Sequence, residues 1–139
     1  MKKISLFCLL LASLLLATSC SPSANMTSSA DRLVSSGTWS VSQFINNSVN
    51  ETSNFNGYTF TFSSSGTISA MKNGVTQSGT WSFNSSESKF NIDLGPKNSG
   101  NFPLGELSDD WKIQSASEKV LSLHDDNAAS NESLTFTKN

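Results

Sequence analysis

From residue 31 onward, apolar and polar side chains alternate with a period of two. Trp39, Val41 and Gln43 share one face, with Thr38, Ser40 and Ser42 on the other. Tyr58, Phe60 and Phe62 alternate with Thr59 and Thr61, and Phe90, Ile92 and Leu94 with Asn91 and Asp93. The pattern returns in residues 67–71, in residues 75–83 (Trp81 and Phe83 on one face), and in the pairs Trp111/Ile113, Leu121/Leu123 and Leu134/Phe136. Runs of about 5–8 residues with one apolar and one polar face are the mark of half-buried antiparallel strands. Eight are expected. Ser63-Ser64-Ser65-Gly66 and Lys72-Asn73-Gly74 read as hairpin turns, the second with the Asn-Gly pair that tolerates positive φ. Residues 84–88, 115–119 and 125–133 are polar turn clusters, and residues 95–110 are the longest irregular stretch. One helical turn is expected at Leu104-Gly105-Glu106-Leu107 and a short helix over residues 30–36, capped by Ser28 or Ser29. No segment keeps a helical period for long. The fold class that follows is all-β: an antiparallel up-and-down eight-stranded barrel with minor short helices, closed because closure removes exposed edges.

The first residues follow a different rule. Met1-Lys2-Lys3 is a positive start, and residues 4–16 are apolar apart from Ser5 and Ser13. A membrane-spanning helix needs about 20 apolar residues, so this run fits a secretory leader instead. Ala17-Thr18-Ser19-Cys20 resembles the lipobox of bacterial lipoproteins, although Ala17 stands where that family most often has Leu. The resemblance implies cleavage before Cys20 and acylation of its thiol, with palmitate-type chains anchoring the protein in the membrane. Ordinary secretory cleavage at the same small residues would instead leave Cys20 as a lone thiol, because Cys8 is lost with the leader. Such a thiol is a liability in an oxidising compartment, and acylation accounts for it. The expected organisation is a signal peptide (residues 1–19), a lipidated Cys20 with a flexible Ser-rich tether (residues 20–30), and one barrel domain (residues 31–139). Ser21 after the cysteine resembles outer-membrane sorting, and no acidic cluster follows that would resemble a surface-export signal. The expected address is therefore the bacterial cell envelope, at the outer membrane and facing the periplasm.

The pentads Gly37-Thr38-Trp39-Ser40-Val41 and Gly79-Thr80-Trp81-Ser82-Phe83 share a Gly-Thr-Trp-Ser pattern. The first resembles the Gly-x-Trp signature that opens the first strand of lipocalins, where the Trp plugs one end of the barrel and a short helix closes that end. With Thr59-Phe60-Thr61-Phe62 and Gly66-Thr67 between the pentads, residues 33–138 resemble small lipocalin-like lipoproteins of Gram-negative bacteria. Gly37, Trp39, Gly79 and Trp81 are the structural motif residues that this resemblance implies. The family's late Arg over the Trp has no counterpart; Arg32 and Lys138 are the basic residues nearest the two ends of the domain. The repeated pentad reads as two equivalent strands that start alike, or as an ancestral duplication.

Charge and chemistry narrow the function. Nine basic residues face eleven acidic ones. Loss of residues 1–19 removes Lys2 and Lys3, leaving seven against eleven, a net charge of −4. That excludes a nucleic-acid footprint and gives no attraction to anionic lipid. The single His124 has Ser122 on the same strand face but no nucleophile elbow, so it reads as a surface histidine. Asp109-Asp110 and Asp125-Asp126 lack calcium-loop spacing and read as turn carboxylates. No enzymatic machinery, cofactor or metal site is expected. An eight-stranded barrel is just wide enough to be filled by side chains or to hold one small ligand. The expected function is binding of a small hydrophobic or amphipathic molecule by Tyr58, Phe60, Phe62 and Phe90. The alternative is a structural or interaction module with a side-chain-filled barrel, its loops (residues 95–110 above all) contacting another envelope protein.

Overall fold

The computed structural model describes residues 34–127 and 129–139. The leader, Cys20, the tether and most of the segment expected to form the first helix lie outside these residues. Nine strands follow in order: β1 (Trp39–Asn46), β2 (Val49–Asn50), β3 (Thr59–Phe62), β4 (Thr67–Lys72), β5 (Val75–Asn84), β6 (Lys89–Asp93), β7 (Asp109–Ala116), β8 (Val120–Asp125) and β9 (Ser133–Lys138). From β3 onward each strand pairs antiparallel with the next, and β9 returns to pair with β1. The sheet thereby closes into an eight-stranded barrel of β1 and β3–β9, with β2 folded back on the end of β1. Helical structure is minor, with single 3-10 turns at Thr52–Phe55 and Leu104–Leu107.

Alternation decides which side chains turn inward. Trp39, Val41, Phe60, Phe62, Ile68, Ala70, Trp81, Phe90, Ile92, Trp111, Leu121, Leu123, Leu134 and Phe136 are all buried, while their neighbours are largely Ser and Thr on the outer wall. One expectation fails at β1. A β-bulge between Val41 and Gln43, opposite β9, shifts the phase by one residue. Gln43 is therefore exposed, and Phe44 takes the inward position. Beyond the bulge β1 leaves β3, to which it is joined only by Trp39 opposite Phe60. The gap is filled locally: Phe44 N–H donates to Thr52 Oγ1 at 2.8 Å, and Glu51 N–H donates to the Phe44 carbonyl at 3.0 Å. Phe55 then packs edge-on against Phe44 with ring centroids 5.2 Å apart.

Turn chemistry sets the hairpins. Asn73 and Gly74 have φ of 53° and 79°, the left-handed pair that matches the twist of two flanking strands. The repeated pentad has two physical meanings. Gly37 precedes β1 at φ 78°, whereas Gly79 lies inside β5. A Cβ on Gly79 would collide with the Asp93 carbonyl at the end of the neighbouring strand β6. The two segments are thus not strands that start alike. Gly79→Ala is expected to lower stability by about 1–3 kcal/mol, the usual cost of forcing atoms into a packed site, as measured by urea unfolding of the domain.

Candidate functional site

An up-and-down barrel sends alternate connections to opposite ends. The 63–66, 85–88 and 117–119 turns lie at the end where Val34 meets Trp39, here called the Trp39 end. The 47–58 segment, the Asn73-Gly74 turn and the 94–108 and 126–132 segments lie at the other, the loop end. Between them is the interior, where the four candidate ring residues are expected to project.

Three of the four are brought into one cluster. Phe60 and Phe90 are fully buried and Phe62 is 3% exposed. Phe62 sits at the centre, with centroids 5.7 Å from Trp81, 5.8 Å from Phe90 and 5.4 Å from Phe136, all edge-to-face. Phe60 meets Phe136 edge-on at 5.3 Å, and Trp81 stacks on Phe90 at 5.2 Å. These are the spacings of directly packed rings. Tyr58 stands apart. It is only half-buried near the loop end, 6.1 Å from Phe60, with Lys72 Nζ 4.7 Å from its ring centroid. Phe136 is the ring that sequence reasoning overlooked. Its signal was the Leu134/Phe136 alternation, which marked a strand and was not carried into the cluster.

Each of the three indoles adds a bond that holds a connection onto the barrel. Trp39 Nε1 donates to the Val34 carbonyl at 3.1 Å, Trp81 Nε1 to Ser63 at 2.9 Å, and Trp111 Nε1 to Leu107 at 3.0 Å. At the Trp39 end, Lys138 Nζ lies 5.3 Å from the Trp39 ring centroid and donates to Ser36 Oγ at 2.9 Å.

The 94–108 segment covers the loop end. Leu94, Leu104 and Leu107 are buried beneath it. Gln77 Nε2 donates to the Leu94 carbonyl and to Asn101 Oδ1, both at 2.6 Å. Asn101 Nδ2 donates to the carbonyls of Leu94 and Pro96, and Ser108 Oγ to Gly95. Lys97 pairs with Asp109 at 2.7 Å, and Lys89 with Asp126 at 3.0 Å. Burial pushes the Glu132 carboxyl above its ordinary range, against the pull of Lys97. At Asp125 burial acts in the same sense but is outweighed by hydrogen bonds from Ser130 and the Asn127 N–H and by Lys97, which hold its carboxyl below the usual range. His124 is exposed with Nδ1 2.8 Å from the Asp125 carbonyl, while Ser122 Oγ accepts from Thr135 Oγ1. Asp109 Oδ1 accepts from Asp110 N–H at the start of β7, as a turn carboxylate does. Among the described residues no three His, Cys, Asp or Glu side chains are grouped to hold a metal ion.

No family model matches the chain, and no curated protein matches it. Solved structures do. A DUF4847 family protein from Bacteroides vulgatus superposes with TM-score 0.58 at 21% identity, over 78% of this chain and 96% of that one. A lipocalin-like protein from Bacteroides uniformis gives TM-score 0.53 at 20% identity, over 76% and 98%. The fold is lipocalin-like. A protein from Burkholderia xenovorans is similar in the same way, with TM-score 0.51, 16% identity, and 82% and 89% of the two chains covered. At these identities the likeness is one of architecture.

Trp39 is fully buried at the end of the barrel where its indole bonds Val34. Lys138 lies over its indole. Gly37 adopts positive φ there, where a side chain would meet the Lys138 methylenes. Truncating the central ring by Phe62→Ala is expected to cost about 3–5 kcal/mol, as for other buried Phe residues, seen as a lowered urea midpoint with unchanged slope.

Proposed function

We propose that this chain is an envelope lipoprotein, held to the outer membrane through acylated Cys20, whose barrel is filled by its own side chains and acts from its surface as a non-catalytic interaction module. The observation that carries the reading is the ring cluster. Phe60, Phe62 and Phe90 would have to part from Phe136 and Trp81 before an apolar molecule could lie among them. Parting them forfeits edge-to-face contacts worth about 0.5–1.5 kcal/mol each beyond area burial. A carrier of a hydrophobic or amphipathic ligand gains from a cavity already formed, so the packed interior favours a filled barrel over the carrier.

The leader supports the anchor. Its apolar run is too short to span a bilayer and ends in small residues before Cys20. Among the described residues no helix is long and apolar enough to cross a membrane. Two acyl chains would hold the domain stably at about 0.8 kcal/mol per buried methylene.

Native mass spectrometry of residues 21–139, secreted to the periplasm behind an ordinary leader, tests the interior. A bare mass with no uptake of an apolar fluorescent probe is expected; an adduct that denaturation strips away would make the protein a carrier. Cys20→Ser is expected to move the full-length protein from the membrane fraction to the soluble one, and continued membrane retention would overturn the anchor.

A further inference from the structure

Among the described residues the exposed large hydrophobics are Val49, Met71, Val75 and Phe102. All four belong to the loop end: Val49 in the β1–β2 hairpin, Met71 and Val75 beside the Asn73-Gly74 turn, and Phe102 in the 94–108 segment. Two of them sit close in sequence to one hydrogen bond that ties β5 to the 94–108 segment. Val75 lies two residues before Gln77 on the same face of β5, and Gln77 bonds Asn101, the residue before Phe102. Val75 is 73% and Phe102 53% exposed, so neither is used to build the fold.

Charge separates the two ends in the same direction. The connections at the loop end and the strand residues flanking them carry seven acidic side chains, Asp93, Glu106 and Glu132 among them. Lys97 pairs with Asp109 and Lys72 lies over the Tyr58 ring, while Lys89, which opens β6 after the 85–88 turn, reaches Asp126. At the Trp39 end Glu87 and Glu118 are balanced by Lys119 and Lys138. Exposed apolar side chains set among acidic ones at one end select an occupant by complementarity. A second copy would bring the same negative charge, and an anionic lipid surface would be repelled in the same way.

We infer that the loop end is a docking surface for a polypeptide of another envelope protein that presents basic and apolar side chains together. The inference rests on the interaction-module reading and names the face and partner chemistry it uses.

Site-specific photo-crosslinking in intact cells tests it, with the full-length lipoprotein carrying benzoyl-phenylalanine at position 75, 102 or, as the opposite pole, 118. Positions 75 and 102 are expected to trap one protein, identified by mass spectrometry, and position 118 none. Calorimetry with that purified protein is expected to show binding that weakens steeply with salt. The Val75→Ser/Phe102→Ser double variant, its fold checked by circular dichroism, should bind about tenfold more weakly, as loss of a central apolar contact does. Trapping from position 118 alone would overturn the docking face and leave the interaction module standing. A trapped lipid or second copy, or binding insensitive to salt, would overturn the partner chemistry. No adduct from any position would overturn both.

Discussion

The ladder between β1 and β9 joins the two ends of the domain, with Trp39 opposite Lys138 and Ile45 opposite Ser133, and it turns a nine-strand meander into a closed wall. Pairing residues so far apart in sequence carries a large loop-closure entropy, recovered only once the interior is assembled. The ladder therefore depends on the rings it encloses, and they depend on it. Val41 faces Phe136 across the seam, and Phe136 is the ring on which Phe60 and Phe62 both lean. Without closure, β1 and β9 would each present an unpaired edge, and the aromatic cluster would lie open to water.

The three tryptophans extend this logic to the connections. A buried indole carries one N–H that must find an acceptor, and in each case the acceptor is a carbonyl of the chain leading into or out of a strand. Packing and loop placement are thus coupled in the same side chain. The wall fixes the ring, and the ring fixes the connection. The long 94–108 segment follows the same economy, its backbone carbonyls taken up by Gln77, Asn101 and Ser108 rather than by a strand.

Much of this was legible in the sequence because a barrel wall has a strict period. Two-residue alternation located all eight wall strands, the Asn-Gly pair marked the turn at Asn73-Gly74, and the helical turn expected at Leu104–Leu107 is present. The alternation failed where the period itself broke. The bulge at Val41/Gln43 has no residue-type signature, so Gln43 was placed inside and Phe44 left out. The β1–β2 hairpin turns on Asn47 and Ser48 at positive φ, without the glycine that usually announces such a turn. The repeated Gly-Thr-Trp-Ser misled for a related reason: one glycine serves a backbone angle and the other a close approach, which sequence cannot separate. Of the candidate rings, Phe60, Phe62 and Phe90 were grouped correctly by phase. Tyr58 differs because it lies just before β3, where the wall gives way to solvent.

The seam between β1 and β3 has an uneven counterpart on its other side. Toward β9, β1 is held by a ladder running nearly its whole length; toward β3 it is held by one residue pair, the rest of that flank being covered by β2, the Glu51 N–H and the hydroxyl of Thr52. The barrel is therefore a ring with one thin joint, and thermal fluctuations that widen it concentrate there, because parting β1 from β3 breaks the fewest main-chain bonds. Amides along that flank are expected to exchange with solvent ahead of the rest of the wall, which makes the joint, rather than either end, the weak point of the closed ring.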